Sequence, residues 1–89
     1  MITAIVSHEV KNYSDWKKEF ERDEPNRSKF GFKITGVYHS VEKPNQITII
    51  GETPNAEAIK SFMANPELKA AMEKGGVIGM PEVRILQKL

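Results

Sequence analysis

The sequence contains no cysteine, which excludes disulfide bonds, thiolate chemistry and cysteine-ligated metal sites. No apolar run approaches the roughly 18 residues of a membrane-spanning helix. The first ten residues, MITAIVSHEV, lack the basic region and long apolar core of a signal peptide. No basic stripe stands out and the formal net charge is +1, which argues against nucleic acid as the main partner. We therefore expect a soluble, cytoplasmic protein with neither a nucleic-acid nor a membrane partner.

What the sequence does contain is the composition of one small globular domain, spanning residues 1–89. Hydrophobic residues make up 39% and charged residues 28%, which is ordinary for a folded chain. A chain of this length buries only about 60–65% of its unfolded surface. Its core is therefore marginal unless another surface covers it.

Periodicity and turn residues predict the order strand, helix, strand, strand, helix, strand. Strands are expected at residues 2–10, 33–41, 46–52 and 82–86. Asn12 is the expected N-cap of the first helix, which ends or kinks at Pro25 and is followed by a connection over residues 26–32. The second helix is split in two at Asn65-Pro66 and ends at Gly75-Gly76. This order is typical of an α+β ferredoxin-like fold, βαββαβ, with a four-stranded antiparallel sheet and helices on one face.

Apolar side chains occupy both faces of the predicted strands. On the second strand, Ile34 and Tyr38 are expected to share one face, with Val37 and Val41 on the other. Two helices cover only one face of such a sheet, and the other would be an unusually large apolar patch for a monomer. The pattern predicts a homodimer in which two sheets pack face to face.

The same topology places several chemically useful side chains at one end of the sheet. The first strand lies between the third and the fourth, so the exits of strands one and two lie beside the glycine-rich segment 75–81, GGVIGMP. This end gathers both histidines, both tyrosines and the only tryptophan: His8, His39, Tyr13, Tyr38 and Trp16. A few polar groups among aromatic side chains are typical of a small-molecule pocket.

Each of these residues also has a structural interpretation, and both interpretations stay open. His8 ends an apolar strand face, where a histidine serves as a hydrogen-bonded core or rim residue, but its ordinary pKa near 6.5 also suits a general base. Tyr38 and Trp16 fit core or dimer packing, and His39 fits a solvent-facing position. The glycines of the segment 75–81 fit a helix cap and turn as well as a lid over a ligand.

A metal site is not expected. His8 and His39 would lie about 9–10 Å apart, two strand spacings of ~4.8 Å. That separation is too large for two ligands of one ion, whose bonds are near ~2.1 Å. No third ligand occurs at a suitable spacing.

Five short motifs carry a resemblance to a known family. They are the strand end His8-x-Val10, the helix start Tyr13-x-x-Trp16-Lys17, Lys43-Pro44-Asn45, FMANPELK at 62–69, and GGVIGMP at 75–81. With these motifs the whole chain resembles the dimeric α/β-barrel superfamily, whose best-known enzymes are antibiotic-biosynthesis monooxygenases. Within it, the chain is similar to short bacterial proteins labelled "cyclase" or given no function. The superfamily hosts oxygenases, isomerases and haem-binding proteins.

The resemblance implies a pocket for a small aromatic, hydrophobic or quinol-like molecule and a cofactor-free monooxygenase or isomerase/cyclase. His8 would deprotonate the substrate and Tyr38 would orient it, while Trp16, His39 and Met80 would line the pocket. No cofactor is implied, because the substrate anion itself can donate an electron to oxygen. The alternative is a non-catalytic ligand-binding or stress-related dimeric module, and a third is a subunit of a larger ring.

Overall fold

A computed structural model describes residues 1–89 as one antiparallel sheet and four helices. The strands are β1 (Ile2–Val10), β2 (Lys33–His39), β3 (Gln46–Thr53) and β4 (Val77–Gln87). The helices are α1 (Tyr13–Arg22), α2 (Glu24–Lys29), α3 (Ala56–Met63) and α4 (Pro66–Lys74). The strand order is β2-β3-β1-β4, and the helices pack on one face. The predicted ferredoxin-like fold and the division of the second helix are confirmed.

Asparagine side chains begin three of the helices. The Oδ1 atoms of Asn12, Asn55 and Asn65 each accept a backbone N–H two or three residues later, at 2.7–3.1 Å. These bonds satisfy N–H groups that have no partner within the helix. After α4 the chain turns through Gly76, whose φ of +78° lies in the left-handed region that glycine adopts at low cost. The predicted helix starts at Asn12 and Asn65 are confirmed.

The segment 26–32 was predicted as a connection, and this is wrong because most of it belongs to α2. Pro25 lies in the first turn of α2, where its missing N–H has no intrahelical partner to lose. Proline therefore ends α1 and begins a second helix in a new direction. The new helix places Asp23, at its N-cap, and Arg27 beside the sheet.

β4 begins at Val77, so most of the glycine-rich segment predicted as a loop is strand. The pairing with β1 is irregular: Ser7 pairs with Glu82 and Glu9 with Ile78, so three residues of β4 lie opposite His8 alone. Among these three are Gly79, at φ +73°, and Pro81, which has no N–H to donate. The segment is a bulged strand beside His8.

Alternation along β1 and β3 decides which side chains face the helices. The buried hydrophobic residues of the chain are Ala4, Val6, Val10, Trp16, Phe32, Ile47, Ile49, Ile59, Phe62 and Leu68.

On β2 the register shifts between Ile34 and Gly36, so one extra residue lies between them. Ile34 and Tyr38 therefore lie on opposite faces, and the prediction that they share one is wrong. Because of this shift, Tyr38 faces away from the helices.

None of the helices has both the length and the apolar character needed to cross a membrane. The longest, α1, has ten residues.

A substitution at Gly51 of β3 can test the packing between the sheet and Phe32. A Cβ at this position would lie 2.5 Å from Cε1 of Phe32 and 2.7 Å from the carbonyl oxygen of Lys33. Because the backbone cannot yield easily, we expect Gly51→Ala to lower the free energy of unfolding by about 1–3 kcal/mol in urea denaturation. Gly75→Ala is the control, since its Cβ would meet nothing nearer than 3.3 Å. Equal losses in both variants would contradict this packing.

Candidate functional site

A partly open cavity of about 60 Å³ lies between the helices and the sheet. It is lined by 15 residues, of which 11 are hydrophobic. Its polar lining consists of His8, Glu19, Asp23 and Arg27. The volume suits a few water molecules, whereas small-molecule pockets span roughly 300–1,000 Å³. The cavity must widen to take a ligand, and the flexible thioether side chains that line it, Met63 and Met72, make this feasible.

His8 lines this cavity and carries an imidazole, which can act as a base. Alternation along β1 turns it toward the helices opposite Ile47, and only 4% of it is exposed. Its Nδ1 atom is buried and has no hydrogen-bond partner in the protein. Burial lowers the pKa of His8 below its ordinary value of 6.5, so the imidazole is neutral at pH 7. A neutral imidazole with an unoccupied nitrogen can accept a proton from a bound molecule.

Trp16 covers His8 from α1. The two rings meet edge to face with centroids 5.7 Å apart, and Trp16 is itself buried. One helical turn later Phe20 stacks on Trp16 at 4.8 Å, because residues four apart lie on the same helix face. His8 and Trp16, expected at one pocket, are therefore in contact. Their roles toward a ligand stay predictions.

Arg27 was not predicted as a site residue because residues 26–32 were interpreted as a connection, and Asp23 was not because it fell in the predicted first helix before Pro25. Arg27 is only 7% exposed: its Nη1 donates to the carbonyl of Phe20 at 2.6 Å, and its guanidinium carbon lies 3.9 Å from the centroid of that ring. Burial lowers the pKa of Arg27 and raises that of Asp23. The signal that could have found them is their four-residue spacing across Pro25, a residue that begins helices as readily as it ends them.

Tyr38, His39 and Met80 do not meet at this cavity. Tyr38 is 57% exposed, pairs with Thr48 on the sheet face away from the helices, and leans over Gly36. Tyr38 lies at the predicted end of the sheet but on the face opposite His8, so within one chain the two cannot act together. His39 is exposed, and its Nδ1 lies 2.9 Å from the carbonyl of Ser40.

Met80 is 93% exposed and borders a separate groove between α4 and β4. It lies on the bulged part of β4, so the expected lid over the His8 pocket does not form from this segment. No three histidine, aspartate or glutamate side chains converge in an arrangement that could hold a metal ion.

The lowered pKa of His8 predicts how stability depends on pH. Below pH 6.5 the unfolded chain takes up a proton at His8 that the folded chain does not bind, so the free energy of unfolding falls as the pH falls. Between pH 7.5 and 5.5 this loss is at most about 1.4 kcal/mol. We expect urea titrations of His8→Leu to show a correspondingly shallower dependence on pH.

His39→Leu is the matched control, since it removes an exposed histidine on the same side of the sheet and should keep the wild-type slope. Asp23 is retained in both variants, so its own titration cancels in the comparison. A wild-type slope in His8→Leu would contradict the lowered pKa.

Comparison with known proteins extends to structure only, because the sequence matches no family profile and no curated protein sequence. A protein of Bordetella bronchiseptica, proposed to be an antibiotic biosynthesis monooxygenase, has a TM-score of 0.76 at 18% identity, covering 99% of this chain and 96% of that one. A Caulobacter crescentus protein with the same proposed assignment gives 0.76 at 15% identity, covering 99% and 89%.

A variant of SnoaB, a cofactor-independent oxygenase from Streptomyces nogalater, gives a TM-score of 0.73 at 14% identity, covering 98% of this chain and 91% of that one. Identities this low establish the fold alone. The chain therefore has the ferredoxin-like fold of antibiotic-biosynthesis-monooxygenase-like proteins, as the sequence resemblance implied.

Proposed function

We propose that this chain is a homodimeric pocket protein that binds a small aromatic or quinol-like molecule and that His8 deprotonates it. The observation that carries the proposal is the buried, unpartnered Nδ1 of His8, a residue that lines a mostly apolar cavity beside Trp16. Buried polar atoms in folded proteins nearly always have a hydrogen-bond partner. A cavity-lining residue that carries an atom without one is suited to bonding with a ligand.

The proposed chemistry begins with proton transfer from a substrate O–H or C–H group to the neutral imidazole of His8. The resulting anion either takes the proton back at another atom, which is an isomerisation, or reacts with molecular oxygen. In the second case four electrons pass from the substrate to molecular oxygen: a carbon of the anion loses its C–H bond, bonds to one oxygen atom and becomes a carbonyl. The other oxygen atom leaves as water with the two substrate hydrogens, one of which the His8 imidazolium returns. Apolar surroundings favour these steps, because they exclude competing water and strengthen local electrostatic interactions.

The proposal is also supported by analogy with proteins of similar structure. One of them is a cofactor-independent oxygenase with nearly the same chain length and fold. Because one fold hosts many activities, the likeness supports a reaction class and not a substrate. The contact between His8 and Trp16 is the local feature that supports the same reaction class in this chain.

The dimer is supported by the apolar surface of β4, an edge strand of 11 residues. Large apolar side chains are exposed on both of its faces, namely Ile78, Met80, Val83, Ile85 and Leu86. Long apolar edge strands invite pairing with another chain unless something covers them. On the sheet face away from the helices, Leu86, Ile5, Ile50 and Tyr38 lie among polar side chains that include Arg84, Ser7 and Thr48. In a face-to-face dimer Tyr38 would pack against the partner. This corresponds to the structural role considered for Tyr38 from the sequence, and not to the substrate-orienting role.

Charge reversal of this surface tests the dimer. We expect wild-type protein at low micromolar concentration to sediment at twice 10.1 kDa, and Leu86→Lys to sediment at 10.1 kDa, because two buried ammonium groups would face each other across a symmetric interface. Val41→Lys is the control, since Val41 is an exposed apolar residue in the turn after β2. A monomeric wild type would refute the dimer.

Oxygen uptake with 1,4-naphthohydroquinone tests the activity. We expect wild-type protein to accelerate uptake over the buffer rate, and His8→Ala to reduce this acceleration by about 10²–10⁴-fold, the usual contribution of a general base. His39→Ala is the control and should keep the wild-type rate. Undiminished turnover in His8→Ala would contradict the mechanism. Thermal stabilisation by the quinol that survives His8→Ala, with no oxygen uptake, would favour the non-catalytic binding module.

A further inference from the structure

Arg27 lies where the cavity meets the protein surface. An outer groove, lined by Phe20, Glu24, Arg27, Ser28, Gly31, Phe32, Lys33 and Ile34, shares four of these residues with the cavity. The shared residues are Phe20, Arg27, Phe32 and Ile34. Arg27 therefore borders both spaces, and we take the groove as the mouth of the cavity.

The charge of Arg27 has no ion-pair partner. A guanidinium has five N–H donors, and the protein supplies one acceptor, the carbonyl of Phe20 at 2.6 Å. The chain has a single ion pair within 4.0 Å, between Arg22 and Glu19, and Arg27 is not part of it. The carboxylates of Asp23 and Glu24 favour the charged form of Arg27, but neither forms an ion pair with its guanidinium. The remaining donors of Arg27 are thus suited to an anion from outside the chain.

The charged groups around Arg27 leave room for such an anion. Asp23 lies one helical turn before Arg27 and lines the cavity; burial raises the pKa of its carboxyl, and the nearby charge of Arg27 opposes this rise. A bound anion would share the positive charge of Arg27 with this carboxylate, which forms no ion pair with it. Glu24 of the groove accepts a hydrogen bond from Ser28 Oγ at 2.7 Å. The groove also contains the ammonium of Lys33, which adds positive charge at the mouth.

Aromatic contacts run without a break from this mouth to His8. The guanidinium lies over Phe20, Phe20 stacks on Trp16, and Trp16 meets His8 edge to face. We propose that Arg27 binds the carboxylate of a hydroxylated aromatic acid, whose ring lies along these side chains and whose hydroxyl or activated C–H reaches His8. A carboxylate is planar and accepts two parallel N–H bonds from one guanidinium, which matches a single arginine in an apolar setting. This inference names the substrate class of the proposed function and rests on it.

Two stable ligands that differ by one carboxylate test the inference: 6-hydroxy-2-naphthoate, whose hydroxyl and carboxylate lie at opposite ends of the ring system, and 2-naphthol. We expect isothermal titration calorimetry to show that the wild-type protein binds the naphthoate at least about tenfold more tightly, which is the usual contribution of a charge-assisted hydrogen-bond pair. Arg27→Met keeps the length and apolar body of the side chain and should abolish this preference while leaving 2-naphthol affinity within about twofold.

Arg22→Met is the matched control: it removes an exposed arginine from α1 that does not line the cavity, and it should keep the preference. Arg27→Lys, which retains the charge, keeps the test available if Arg27→Met does not fold, and it should retain only part of the preference because the bidentate fork is lost. Equal wild-type affinity for both ligands, or a full preference in Arg27→Met, would overturn the inference and leave the proposed function standing. Binding of neither ligand would overturn the proposed pocket and this inference with it.

Discussion

The packing of Trp16 over His8 is the contact on which the rest of the site depends. It closes an imidazole off from water, and that desolvation keeps the ring neutral at pH 7. The same indole stacks on Phe20, and the ring of Phe20 in turn holds Arg27. One side chain of α1 therefore sets both the protonation state of the base and the aromatic wall that leads to the arginine. Such coupling follows from helical spacing, since Trp16 and Phe20 are one turn apart.

Pro25 is the second constraint, because it decides where the charged groups lie. A continuous first helix would carry residues 23–29 away along its own axis. The proline instead ends α1 and begins α2, and this change of direction buries Arg27 against the ring of Phe20. A long cationic side chain buried in this way covers apolar surface with its stem while its head remains at the mouth of the cavity. The local chemistry of one imino acid thus shapes the opening of the pocket.

The sequence was informative wherever a local rule acts alone. Period-two alternation predicted β1 to the residue, and the caps at Asn12 and Asn65 followed from side chains that satisfy unpaired helix N–H groups. The chain order was enough for the fold, because a split βαββαβ pattern has one common solution. It was also enough to bring His8 and Trp16 together, since α1 follows directly from the end of β1.

Prediction failed where a position depends on pairing with a distant strand. The bulge in β2 is defined by its register against β3, and this one extra residue moves Tyr38 to the face opposite the helices. The early start of β4 depends in the same way on three residues facing His8. Neither irregularity leaves a local sequence signal beyond a glycine. The end of the sheet at which a residue lies was therefore predictable, but its face was not.

The ionisable groups of the cavity argue that this space is kept for binding and not only for folding. His8, Asp23 and Arg27 all line it, and burial shifts the pKa of each toward its uncharged form. Apolar side chains of similar size in such positions are commonly neutral or stabilising, because they carry no desolvation cost. Pockets that act on a substrate are where such costs are retained, since a shifted base and an unpaired charge acquire partners only when the ligand is present. In this chain the base and the charge lie at opposite ends of one aromatic wall, an arrangement that packing alone does not require and that suits the two-ended ligand we propose.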